Sequence, residues 1–204
     1  MDVANCSRDD LFAAALAGEE VARGELFEQY RDYLELLARL EIGRQLQVKV
    51  DTGDLVQDTF LDAHRNFRLF RGRTEVEFAG WLRTILAGKL SNLVRHYVGP
   101  QGRDIRREQS LQVNLNQSSA LLEQPLFATE SSPSQQASKR EQGVLLANAL
   151  AKLPPDYREI IILRNMEELP FDQCAQRMSR SVDAVQKLWV RALAQLRRST
   201  KGML

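Results

Sequence analysis

Apolar residues in this chain recur at intervals of three and four almost from end to end, and no segment alternates with period two. That spacing places one apolar stripe along a helix every 3.6 residues and leaves no half-buried strand to build a sheet. Four helices are predicted in the first half, over 9–17, 21–41, 51–70 and 77–97. From 99 to 136 the character changes to Gly99-Pro100, paired serines (Ser118-Ser119, Ser131-Ser132), Pro133 and many amides. Such composition buries little, so it predicts a long flexible linker with at most a short helix near 105–111. Periodicity returns at 137 and runs to the end. The fold class is therefore all-α, with two small helical domains at 1–98 and 137–204 joined by a linker over 99–136.

The two halves differ in charge although the chain as a whole carries only +1. Residues 51–62 contain Asp51, Asp54, Asp58 and Asp62 and no basic residue. Residues 177–201 contain Arg177, Arg180, Lys187, Arg191, Arg197, Arg198 and Lys201 against Asp183 alone. Solvated helix faces carry such runs too, but their segregation in one chain fits partners of both signs. Cys6 and Cys174 have no metal-ligand spacing and read as reduced thiols of a cytoplasmic protein. No stretch approaches eighteen apolar residues, so neither a secretion signal nor a membrane span is expected. His64 and His96 have no acidic or cysteine cluster beside them, and no catalytic, metal or cofactor site is predicted.

In the second half, Leu153-Pro154-Pro155-Asp156 puts prolines where a helix begins. Helices over 157–165, 171–178 and 182–198 follow, the last two joined by Ser179-Arg180-Ser181. Two helices on a three-residue turn, the second basic, form a helix-turn-helix pattern. On a helical wheel Val182, Val185, Leu188, Trp189, Ala192, Leu193 and Leu196 face the core. Asp183, Ala184, Lys187, Val190, Arg191 and Arg198 face outward, where a helix end in the major groove meets base edges and phosphates. Ser181 is an N-cap whose hydroxyl also suits a phosphate.

In the first half, Asp51-Thr52-Gly53-Asp54 has the form of a capping box. Leu55, Val56, Thr59, Phe60, Ala63 and Phe67 fall on the buried arc of that helix. Asp54, Gln57, Asp58, Leu61, Asp62 and Arg65 fall on the other. Leu61, an apolar residue ringed by acceptors, fits a surface that docks a basic partner helix; an isolated exposed leucine would look the same. A basic loop, Arg71-Gly72-Arg73, precedes a helix expected to expose Lys89, Asn92, Arg95 and His96. Aromatics beside cations suit single-stranded nucleic acid, although Phe78 and Trp81 also fit core spacing with Leu82, Ile85 and Leu86.

These segments resemble the extracytoplasmic-function (ECF) sigma factors. Residues Asp54 to Ala63 (DLVQDTFLDA) look like region 2.2, and Phe78 to Arg95 is similar to regions 2.3 and 2.4. LPPDYRE from Leu153, with Ile160 to Arg164, looks like region 4.1, and Phe171 to Arg197 resembles region 4.2. The resemblance implies a non-enzymatic initiation factor that binds core RNA polymerase and promoter DNA. It places Asp54, Gln57, Asp58 and Leu61 on the β′ clamp helices, and the second domain on the β flap. It assigns Arg71, Arg73, Lys89, Asn92, Arg95 and His96 to the minus-10 element, and Ser181, Asp183, Ala184, Lys187 and Arg191 to the minus-35 element. The linker would thread toward the RNA exit channel, and an anti-sigma factor is an expected regulator. Gly88 departs from the asparagine common in relatives. Two rival readings remain, a freestanding helix-turn-helix repressor or activator and a helical hydrolase or nuclease.

Overall fold

The computed structural model describes residues 8–45, 51–98, 105–122 and 136–200, and those residues contain helices and no strand. The chain divides into two compact units, Met1–Leu115 and Asn116–Leu204.

Unit 1 is built from α1 (Arg8–Ala17), α2 (Glu20–Gln29), α3 (Arg31–Gln45), α4 (Thr52–Asn66) and α5 (Glu75–Val98), with a 3₁₀ turn at Phe67–Leu69. α1 and α2 are joined through Gly18, whose φ of 101° is a left-handed conformation that a side chain would strain. The single helix expected over 21–41 is two helices. Tyr30 ends α2, its ring buried and its hydroxyl bonded 3.3 Å from Glu75 Oε2 on α5, so a long-range anchor overrides the continuous local pattern. The core centres on Phe78, whose ring meets those of Phe12, Phe27, Tyr30, Phe67, Phe70 and Trp81 at centroid distances between 5.2 and 6.3 Å. Burying such a ring amid offset and edge-on neighbours makes this position worth about 3–5 kcal/mol against alanine.

α6 (Ile105–Leu122) lies where the linker was expected and extends well past the short helix predicted near 105–111. Leu111, Leu115 and Leu122 are buried at helical spacing, and Ser118 and Ser119 are buried with them. No glycine or proline interrupts 105–122, so the asparagines and serines that are weak helix formers are carried by their apolar stripe. The division between the units falls within this helix. The remaining linker positions, 99–104 and 123–135, lie outside the described residues.

Unit 2 contains α7 (Gln136–Ala151), α8 (Pro155–Ile161), α9 (Phe171–Arg177) and α10 (Val182–Thr200). Pro155 opens α8, where its missing N–H costs nothing. α8 widens into a π-helical turn at Ile162–Met166 and stops at Glu168, which has a φ of 57°. Val185, Leu188, Ala192 and Leu196 of α10 are buried with Ile160, Ile161 and Leu163 in this unit's core.

Candidate functional site

α4 begins at Asp51, whose Oδ1 accepts from Gly53 N–H at 2.8 Å. The reciprocal capping box is formed by α5 instead: Thr74 Oγ1 accepts from Glu77 N–H at 3.2 Å, while Glu77 Oε2 accepts from Arg73 N–H, Thr74 Oγ1 and Thr74 N–H. The Arg73 amide, then the Thr74 hydroxyl, hold the Glu77 carboxyl below its ordinary range. The buried arc of α4 is the expected one, with Leu55, Val56, Thr59, Phe60 and Ala63 inside and Phe67 following in the 3₁₀ turn. Asp54, Gln57, Asp58 and Leu61 are exposed, Leu61 by 46%. Among the described residues Asp54 and Asp58 have no hydrogen-bond or ion-pair partner, whereas Gln57 Oε1 accepts from Arg31 Nη2 at 3.4 Å. Asp62 is occupied: Lys89 Nζ lies 2.6 Å and Arg65 Nη1 3.6 Å from its carboxylate.

The loop after α4 is shaped by Gly72. A Cβ there would stand 2.3 Å from Phe70 Cζ, so only glycine lets the Phe70 ring lie over the loop. Phe70 in turn packs at 5.2 Å on Trp81, which is half-buried, neither wholly core nor a free platform. Arg71 and Arg73 are exposed on this loop, with Arg71 Nη1 donating to the Arg68 carbonyl at 3.2 Å. On α5, Asn92, Arg95 and His96 are exposed, and Arg95 donates to the Asn92 side-chain oxygen. Lys89 departs from the expectation. Its ammonium turns onto α4 because Asp62 offers a carboxylate there.

In unit 2 the turn predicted at Ser179-Arg180-Ser181 links α9 to α10. Ser179 has a φ of 53°, and Arg180 N–H reaches back to Ala175 O at 2.9 Å. Ser181 caps α10, its Oγ accepting from Ala184 N–H at 3.3 Å. Asp183, Lys187 and Arg191 are exposed, Ala184 half-buried. Lys187 Nζ is paired with Asp183 at 2.8 Å on the same face, while Arg191 has no partner among the described residues. The wheel is rotated from the expected one: Val182 is 42% exposed, and Trp189 and Leu193 are half-buried. The indole N–H of Trp189 donates to Asn165 Oδ1 at 2.9 Å, which fixes the ring at the edge of the core. Val190 is exposed as expected, and the rotation leaves Gln186 exposed beside Lys187; Gln186 was missed because an unrotated wheel sets it near the core boundary. Buried Cys174 is a lone thiol, its pKa pushed up by burial. Cys6 lies outside the described residues. The described residues hold no grouping of three metal-ligating side chains. None of their helices is long and apolar enough to cross a membrane.

The Sigma-70 region 2 family model matches residues 26–97, and the Sigma-70, region 4 model matches residues 144–196. The chain is similar to the RNA polymerase sigma factor YlaC of Bacillus subtilis, with 25% identity over 87% of this chain and 92% of that protein. It is also similar to the ECF RNA polymerase sigma factor BldN of Streptomyces coelicolor, with 27% identity over 93% of this chain but only 64% of that longer protein. Among solved structures, the RsbN-BldN complex matches at 22% identity and a TM-score of 0.30, covering 93% of this chain and 99% of the matched one. CnrH in complex with the cytosolic domain of CnrY matches at 22% identity and a TM-score of 0.32, covering 95% and 97%.

Proposed function

The chain belongs to the ECF subfamily of the sigma-70 family, the non-catalytic factors of transcription initiation, and from that premise we propose how it divides the work between its two units. Unit 1 binds core RNA polymerase through the α4 face of Asp54, Gln57, Asp58 and Leu61, laid against the β′ clamp helices. The observation that carries this assignment is the pair of unpartnered carboxylates, Asp54 and Asp58, flanking an exposed leucine. A helix that served only its own domain would neutralise or solvate that face without an apolar centre; a basic partner helix supplies both the cations and the apolar contact.

Arg71, Arg73, Asn92, Arg95 and His96 form the surface for the minus-10 element, with Lys89 positioned behind it by Asp62. Unit 2 reads the minus-35 element with α10. Arg191 is available at once, and Lys187 exchanges Asp183 for a phosphate or a base edge. The domain limits of 1–98 and 137–204, and seating of unit 2 on the β flap, belong to the same proposal. So do a cytoplasmic location and control by an anti-sigma factor covering the α4 face.

Gel filtration with core polymerase, followed by transcription from a promoter library, tests the reading. Co-elution and promoter-specific transcripts are expected. A chain that binds promoter DNA but never co-elutes with polymerase would instead be a freestanding repressor or activator. The minus-35 assignment requires Lys187→Ala with Arg191→Ala to abolish initiation at minus-35-dependent promoters, each lost donor costing about 1–3 kcal/mol.

A further inference from the structure

Arg31 is the first residue of α3, just past the break at Tyr30, and its side chain ties three helices together. Nε donates to Glu28 Oε1 on α2 at 2.7 Å, and Nη2 donates to Gln57 Oε1 on α4 at 3.4 Å. The guanidinium also lies 5.3 Å from the centre of the Phe60 ring on α4. With the Arg31 side chain 31% exposed and that of Glu28 63% exposed, the ion pair by itself stabilises the fold only weakly. A planar cation laid on an aromatic face and held at Nε has a set orientation, however, and that aims its remaining donors.

Gln57 is fixed as a result. A guanidinium donates and cannot accept, so the oxygen end of the Gln57 carboxamide is the end that faces it. The NH2 end is thereby turned away from Arg31, and it has no partner among the described residues. Gln57 is exposed on the outer face of α4, three residues after Asp54 and four before Leu61, so the three lie along one side of the helix. Asp54 and Asp58 present only acceptors there. Gln57, held by Arg31, presents a donor between them. Without Arg31 the terminal torsion of the carboxamide is soft, and either end would turn outward.

We propose that Arg31 is a positioning residue for polymerase docking: it fixes Gln57 with the amide nitrogen outward, toward a hydrogen-bond acceptor that the partner carries among its cations. This role rests on α4 being the docking helix, and it requires a partner surface that is not uniformly basic. A carboxylate or carbonyl oxygen stands opposite Gln57, with cations opposite Asp54 and Asp58. A uniformly basic helix would leave the Gln57 donor facing a cation, so the arrangement selects between partners of the same net sign.

The affinity of the full chain for core polymerase, measured by fluorescence anisotropy beside the melting temperature, tests the role. Gln57→Glu keeps the oxygen that Arg31 holds and removes the outward donor. Its melting temperature should not fall, while its affinity should drop about tenfold, because an acceptor then faces an acceptor. Arg31→Met should weaken affinity about threefold to tenfold, the scale of one hydrogen bond. Made on top of Gln57→Leu, the same Arg31→Met change should have no further effect, since no carboxamide remains to be oriented. Additive losses would mean that Arg31 touches the polymerase itself. Those losses, full affinity of Arg31→Met, or unchanged or raised affinity of Gln57→Glu would each overturn the proposal. If Arg31→Met fails to fold, Gln57→Glu decides alone. Docking by α4 is tested apart from this by Asp58→Lys with Leu61→Ala: lost co-elution in that pair beside full affinity of Gln57→Glu would reject the role of Arg31 and keep α4 as the docking helix.

Discussion

Lys89 Nζ of α5 lies 2.6 Å from Asp62 Oδ2 of α4, so the helix proposed to face DNA is pinned to the helix proposed to face polymerase. Both side chains keep partial solvent access, and Arg65 shares the carboxylate, so the pair is a modest contributor in an aqueous setting.

A double-mutant cycle of Asp62→Asn and Lys89→Met should give a coupling of about 0.5–1 kcal/mol in urea denaturation. Lys89→Ala should lower the melting temperature and leave the salt dependence of minus-10 binding unchanged. Arg71→Ala should instead reduce the slope of log K against log salt by about one, as loss of a phosphate contact does. If Lys89→Ala reduced that slope like Arg71→Ala, Lys89 would be a direct DNA contact after all.

Asp58 and Leu61 project away from the core, so Asp58→Lys with Leu61→Ala should leave the melting temperature near that of the parent. The same pair should abolish co-elution with core polymerase through lost apolar contact and like-charge repulsion. Undiminished co-elution would remove α4 from the docking role.

Ser179 holds a left-handed conformation at the α9–α10 turn, where the hydrogen bond from Arg180 N–H to Ala175 O requires it. Glycine adopts that conformation without the Cβ clash, so Ser179→Gly should raise unfolding free energy by about 0.5–1 kcal/mol. A loss of stability on that substitution would mean that the serine hydroxyl, not the backbone, decides the turn.

Glu77 contributes through its ionised form, since its carboxyl is held below the ordinary range by the Arg73 amide and the Thr74 hydroxyl. That contribution is fully present above the unfolded-state carboxylate pKa and disappears as pH falls through the lower folded-state value. Melting temperatures of the parent and Glu77→Gln should therefore differ near neutrality and converge in acid. A gap that stayed constant with pH would exclude the linkage.

The outer face of α4 was legible because an apolar stripe with period 3.6 fixes the opposite side by elimination, and Asp54, Gln57, Asp58 and Leu61 are all outside. The α10 face was legible only to within a rotation. Val182 and Gln186 are exposed while the Trp189 indole, bonded to Asn165, is half-buried, and a wheel drawn on one helix has no knowledge of a neighbour's amide.

The sequence by itself determined that the chain is helical, where its helices begin at Asp51 and Ser181, and which family's motifs it carries. Those properties reside in short-range spacing, capping and backbone restriction, which a local stretch encodes in full. Only the tertiary structure decided that Tyr30 interrupts a helix, that Lys89 serves Asp62, and that Arg31 of α3 meets Gln57 of α4. Each of these depends on where two helices cross, which is set by how their side chains fill a shared core around Phe78 and not by the pattern along either one.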